Sequence, residues 1–307
     1  MVRTRAQLKE SGDVVPELPG VPKKREASVF AAAAKRALGG GLPGAIAMVL
    51  QVVLLMWMRT TVNYQMRNGG TMLGVMALLY AEGGVARFYS GFGFALLQGP
   101  LSRFGDTAAN AGVLAALEGS RVPVLLKTVC ASAAAAGWRA LITPLDTAKT
   151  VLQVEGAAGL EKLGARVAAA GPVVLWAGAL GATVATFMGH YPWFATNNAL
   201  EARLPPAKTA GKKLVRRALI GFASSLVADC CSNSIRVVKT AVQTAAEPVG
   251  YFEAAHLIVE RDGLGGLLWR GLVAKILCNG VSSILFSVIW KSLMDSMNAK
   301  EKKRRAK

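Results

Sequence analysis

Several kinds of chemistry lack their raw material in this chain. There is no GxSxG nucleophile turn and no HExxH metal motif. No phosphate loop is complete: Gly39-Gly40-Gly41 lacks a following Lys-Ser/Thr, and Ala210-Gly211-Lys212-Lys213 lacks the upstream glycine. These absences argue against an enzyme, and no cofactor or metal is expected. Cysteine is sparse: Cys130, Cys230, Cys231 and Cys278 lie in apolar surroundings without CxxC spacing, so buried free thiols are expected rather than a disulfide framework or a zinc site. The N-terminus is basic, but it carries Glu10, Asp13 and Glu17 and no apolar stretch of a secretory signal. Acidic residues number 18 against 36 Lys and Arg, a net charge of +18.

An excess of that size can mark a nucleic-acid binder, because clustered cations neutralise phosphates. Its distribution argues against one. The basic residues concentrate in 1–36, between Arg203 and Arg217, and between Lys300 and Lys307. No charge interrupts the chain between Arg36 and Arg59 or between Arg166 and Glu201. Each run can cross roughly 30 Å of hydrocarbon at about 1.5 Å per residue. The stretches Arg87–Arg103, Lys127–Arg139, Arg217–Asp229 and Lys275–Lys291 enclose runs too short to span alone. The three basic regions fall on one face if six helices cross, and the loops near 66–87, 154–172 and 244–264 on the other, as charge-biased topology requires.

An internal repeat organises these runs. Pro144-Leu145-Asp146-Thr147-Ala148-Lys149-Thr150 is followed by Gln153, and Ser234-Ile235-Arg236-Val237-Val238-Lys239-Thr240 by Gln243. Counting back from Gln65 puts Met56, Met58 and Thr61 at the Pro, Asp and Lys positions. Beyond each Gln, at 24, 23 and 26 residues, stands an aromatic-x-Gly element: Tyr89-Ser90-Gly91, Trp176-Ala177-Gly178 and Trp269-Arg270-Gly271. Glu82-Gly83 and Asp262-Gly263 precede two of them, while the middle copy keeps Gly171 alone.

Over residues 40 to 297 these elements resemble the mitochondrial carrier family, whose repeats pair a Pro-x-Asp/Glu-x-x-Lys/Arg element with an acidic-Gly, aromatic-basic-Gly element. The resemblance implies an all-α membrane protein of six transmembrane helices in three pseudo-threefold related pairs, with short surface helices and a water-filled funnel. Helices are expected near 42–65, 90–117, 122–153, 177–202, 213–243 and 270–297, and surface helices near 71–80, 160–169 and 251–261. The corresponding division is a basic N-terminal extension at 1–40, repeats at 41–120, 121–205 and 206–298, and a basic tail at 299–307. Pro144 should kink the third helix.

The resemblance also implies a matrix-side network of ion pairs between successive odd-numbered helices. Here it permits one bridge, Asp146 with Lys239. Met58 offers Lys149 no anion, and Arg236 presents a cation where an anion is expected, so the closed state should be shallower; Asp146 and Lys149 can alternatively form only an intrahelical pair. Gln65, Gln153 and Gln243 are the expected braces. The opposite gate has no acidic residue: Ala109-Asn110, Asn197-Asn198 and Trp290-Lys291 stand at or near its positions, and the asparagines can form a neutral substitute.

Seven residues before each network lysine position's acidic neighbour lies a residue two turns away on the same face: Gln51, Arg139 and Asp229. On the even-numbered helices the family's contact region falls at Gln98, Thr186 and Asn279, with His190, Cys278, Arg103 and Asp106 nearby. Arg139 and Asp229 can bind the two charges of a zwitterion or neutralise each other, and His190 is either a packed helix residue or a proton carrier. Anionic lipid such as cardiolipin is expected at the helix starts marked by Gly91, Gly178 and Gly271, with Arg270 strengthening the third. The function implied is alternating-access transport of a small polar or zwitterionic solute across the mitochondrial inner membrane by a monomer. Another organelle membrane, such as that of a plastid, is also compatible. The alternative is a structural or assembly protein, derived from a carrier and held in a membrane complex, that no longer transports.

Overall fold

Pro144 decides where one of the expected helices breaks. A computed structural model of the protein describes residues 41–117, 123–206 and 209–285. In it the 122–153 stretch forms two helices, α4 (Val124–Leu141) and α5 (Thr143–Glu155), separated at Ile142 with φ −88° and ψ 3°. Proline has no amide to donate and its ring crowds the carbonyl four residues back, so the chain restarts its helix with Pro144 in the first turn. The equivalent positions hold Met56 and Ser234, and there the helices run unbroken as α1 (Gly41–Asn68) and α8 (Ala210–Thr244).

The remaining elements are α2 (Met72–Phe88), α3 (Phe92–Ala116), α6 (Ala158–Ala170), a 3₁₀ turn (Pro172–Trp176), α7 (Ala179–Arg203), α9 (Tyr251–Trp269) and a helical stretch over 272–285. Two surface helices are longer than expected: 71–80 extends to Phe88 and 251–261 to Trp269. Both continue by bending at non-helical glycines, Gly83 and Gly84 in one and Gly263 in the other. Among the described residues the structure is helical throughout, and three stretches are long and apolar enough to cross a membrane: Pro172–Arg203, Gly211–Thr244 and Tyr251–Leu285. The Arg36–Arg59 run expected to span is not among these three, and its residues before Gly41 lie outside the described residues, as do 1–40, 299–307 and Trp290-Lys291.

A long helix, a short helix, a glycine of positive φ and another helix follow one another three times. The glycines are Gly91, Gly178 and Gly271, with φ of 80°, 82° and 66°. Each also lies against the first long helix of the next repeat. A Cβ on Gly91 would stand 3.1 Å from the Lys149 carbonyl of α5, one on Gly178 2.5 Å from Cγ of Gln243 on α8, and one on Gly271 3.1 Å from the Val62 carbonyl of α1. The contacts run from first repeat to second, second to third and third back to first, so the helices close into a ring.

Arginines follow the same cycle. Arg87, 8% exposed, donates to the carbonyls of Gln153 and Val154 at 3.0 and 2.7 Å, and Glu82 holds its Nε at 2.7 Å. Arg166 donates to the Gln243 carbonyl at 3.1 Å, and Arg270 to the Arg67 carbonyl at 3.4 Å while paired with Asp262. The last carbonyls of a helix have no partner within it, and a cation there also suits the helix dipole. Arg87→Ala strips two such carbonyls at once and is expected to lower stability by about 3–6 kcal/mol, from roughly 1.5–3 per charged hydrogen bond. Thermal unfolding in detergent checks this, and Arg87→Lys should recover part of the loss.

The core is clearest where the ring closes between α1 and α8. Leu55, Met58, Val62 and Met66 pack on Val237, Ala241 and Val242, with Ala254, Ile258, Ala274 and Cys278 completing the cluster. Met58 occupies the position where Asp146 stands in the middle repeat, and it is 5% exposed. Replacing a buried ion pair with well-packed apolar side chains is often neutral or stabilising. Met58 is thus held by apolar packing against α8 and not by a charge.

Candidate functional site

Asp146, in the first turn of α5, is placed at the ring's interior by the break at Ile142. Its two carboxylate oxygens are divided between two cations: Oδ1 receives Lys149 Nζ at 2.8 Å and Oδ2 receives Lys239 Nζ, from α8, at 2.5 Å. The three side chains are only 13–16% exposed. The interhelical bridge and the intrahelical pair, weighed as alternatives from the sequence, thus coexist on one carboxylate, and neither lies on a solvated face. Lys149 also donates to Gln98 Oε1 of α3 at 3.3 Å.

The three glutamines differ. Gln243, fully buried, donates its amide to Thr147 Oγ1 at 3.1 Å and approaches Asp146 Oδ2 at 3.4 Å, so it braces the bridge from beneath. Gln153 accepts from Asn63 Nδ2 at 2.5 Å and links α5 to α1. Gln65 instead donates to the Gly70 carbonyl at 3.0 Å and fixes the turn into α2. It meets no ion pair because Met58 and Thr61, at the two charged positions of that helix, supply none.

Above the bridge lies a polar cavity of about 170 Å³. It takes Asn63 from α1, Gln98 from α3, Arg139 from α4, Asp146, Lys149 and Thr150 from α5, Thr186 from α7, and Arg236 and Lys239 from α8. Since one water needs roughly 10–15 Å³ by this measure, the space admits a small solute. Arg139 is paired with Asp106 of α3 at 3.1 Å.

Of the seven residues expected at a substrate site, the structure brings Gln98, Arg139 and Thr186 together around the cavity. Gln51 is buried elsewhere: its amide donates to the Ser282 carbonyl at 2.8 Å and its oxygen accepts from Arg59 at 3.3 Å. Asp229 pairs with Lys275 at 2.7 Å and accepts from Asn279 Nδ2 at 2.6 Å, beside a crevice of about 10 Å³ that is at the limit for one water. Arg139 and Asp229 therefore do not neutralise each other; each has its own partner. His190 stacks edge-on against Phe194, ring centres 6.3 Å apart, and does not line the cavity. Seven residues fall about 20° short of two full turns, and α4 is offset by the break at Ile142, so equal spacing does not give Gln51, Arg139 and Asp229 equal orientation.

At the glycine-marked helix starts, the described contacts are protein ones. Gly181, in the first turn of α7, donates its amide to the Tyr251 hydroxyl at 3.0 Å, and Arg270, 7% exposed, is engaged with Asp262 and the Arg67 carbonyl. Sequence reasoning passed over Asn63, Thr150 and Lys275 as site residues, and Arg87 and Arg166 as helix caps. Lys275 carried a signal, being a lone cation four residues into an apolar helix, where intramembrane charges seek partners.

Comparison with curated proteins gives no match. Residues 211–301 match the family model for mitochondrial carrier protein, a segment that includes α8, α9 and the helix over 272–285. The segment similar to the family's model is thus the one whose α8 supplies Lys239 to the shared carboxylate.

Proposed function

We propose that the protein carries a small polar solute across the mitochondrial inner membrane by exposing one central site alternately to the two faces. Six crossings are provided by α1, α3, the α4–α5 pair, α7, α8 and the helix beginning at 272, in three repeats bounded at 41–120, 121–205 and 206–298. The observation that carries this reading is the cavity itself: polar, about 170 Å³, walled from all three repeats and bounded by the Asp146–Lys239 bridge. A site shared among three repeats changes access when the repeats move relative to one another, and breaking the bridge is the local event such motion needs. Anionic lipid headgroups are assigned to the helix starts at Gly91, Gly178 and Gly271, where positive-φ glycines admit close approach.

The test is counterflow in proteoliposomes made with the purified protein and a panel of small anionic, zwitterionic and cationic solutes. Saturable, exchange-stimulated uptake of at least one solute is expected, and its absence across the panel overturns transport. Single cysteines at Ala207 and Lys307 should label from the same face; labelling from opposite faces overturns the six-crossing arrangement.

A further inference from the structure

Resting on that transport reading, we propose that the cavity binds a small anion, with the Arg236 guanidinium as its principal anchor. Four cationic side chains line the cavity, Arg139, Lys149, Arg236 and Lys239, against a single carboxylate, Asp146. The carboxylates in this part of the bundle are already committed: Asp146 to two lysines, Asp106 to Arg139, Asp229 to Lys275. Asp106 offsets Arg139, and one carboxylate shared by two lysines leaves a positive charge over. Arg236 adds a second. Among the described residues it has no carboxylate within ion-pair distance; its one side-chain partner is the Ser232 hydroxyl, to which Nε donates at 3.2 Å.

Arg236 stands at the repeat position where the middle copy has Asp146, so a cation has replaced an anion inside the bundle. A partly buried cation without a counter-charge is unfavourable, and the cavity is where one can enter. Gly189 of α7 leaves room beside it, since a Cβ there would stand 3.7 Å from Arg236 Nη2. With Nε held by Ser232, the outer nitrogens remain as a planar donor pair matched to a carboxylate or phosphate oxygen pair. An excess of two positive charges fits a monoanion or dianion, and the volume limits it to a small one. A zwitterion fits poorly, because its ammonium finds no uncommitted carboxylate among the described residues at the cavity.

The purified protein in neutral, lipid-free detergent should be stabilised thermally by succinate or inorganic phosphate, and not by glycine betaine or choline at matched ionic strength with chloride. Arg236→Gln should weaken the anion's binding roughly tenfold to a hundredfold, the range for a lost charged hydrogen bond, while Arg236→Lys retains part of it. Counterflow with the same solutes separates this inference from the transport reading. Anion binding lost in Arg236→Gln without flux of any solute supports the anion site and overturns transport. Flux and stabilisation by betaine or choline but not by the anions overturn the anion site and leave transport standing. Stabilisation by anionic phospholipid alone, or by none of these probes, also overturns the anion site. Because the wild-type panel by itself can overturn anion binding, the inference stays open to refutation even if Arg236→Gln fails to fold.

Discussion

Asp146→Asn is expected to be the most damaging single polar substitution in the bundle, exceeding Lys239→Gln. Asp146 is the one anion for two lysines, so its loss strands both Lys149 and Lys239 in surroundings where the side chains are about 15% exposed. Lys239→Gln leaves Asp146 still paired with Lys149. Breaking a buried pair from one side commonly costs about 3–5 kcal/mol, and the neutral change at Lys239 should fall well below the change at Asp146. Thermal unfolding and solute leak, measured on both single variants and the Asp146→Asn/Lys239→Gln double variant, give the coupling energy. Exchanging the two charges is not expected to restore function, since Asp146→Lys places a second ammonium within reach of Lys149. The exchanged variant should remain as impaired as Asp146→Asn, and full recovery would show that Lys149 does not share the carboxylate.

Gly178→Ala should destabilise by about 2–5 kcal/mol for two separable reasons. The backbone there has φ 82°, a left-handed conformation that costs an L-residue roughly 1–2 kcal/mol. The added Cβ also meets Gln243 Cγ at 2.5 Å, and overpacking of this kind costs about 1–3 kcal/mol. Gln243 is fully buried and holds Thr147 beside the Asp146 bridge, so displacing it should loosen the bridge as well as the ring contact. Gln243→Ala removes the obstructing atom. Combined with Gly178→Ala it should show less than the sum of the two single losses, by the steric share alone. Additive losses in thermal unfolding would mean that backbone strain accounts for the whole effect.

Much of this architecture can be read from residue order. The spacing of Pro144, Asp146, Lys149 and Gln153, matched at Lys239 and Gln243, gives the repeat, and the repeat gives helix order and the face that carries the network. The helical period converts such spacing into direction within one helix. Together with the family resemblance it was enough to name Asp146 with Lys239, and to place Gln98, Arg139 and Thr186 among the candidate residues. The same logic misplaced Gln51 and Asp229, because direction within a helix does not say what the neighbouring helix offers. Lys275 and Asn279 capture Asp229, and Ser282 captures Gln51.

The sequence by itself determined that the protein is built from threefold-repeated helical units, that long uncharged runs alternate with basic connections, and that one complementary charge pair joins the second repeat to the third. Tertiary structure alone decided how charges are apportioned: Asp146 to two lysines, Asp106 to Arg139, and, among the described residues, none to Arg236. It likewise decided that Met58 closes its seam by packing, and that Arg87, Arg166 and Arg270 cap the helices of the next repeat. The reason is one of range. Periodicity and propensity act over a few residues along the chain, whereas a hydrogen bond or ion pair forms only within about 3 Å across it. Which of several nearby partners comes within that distance depends on where every helix of the ring finally rests.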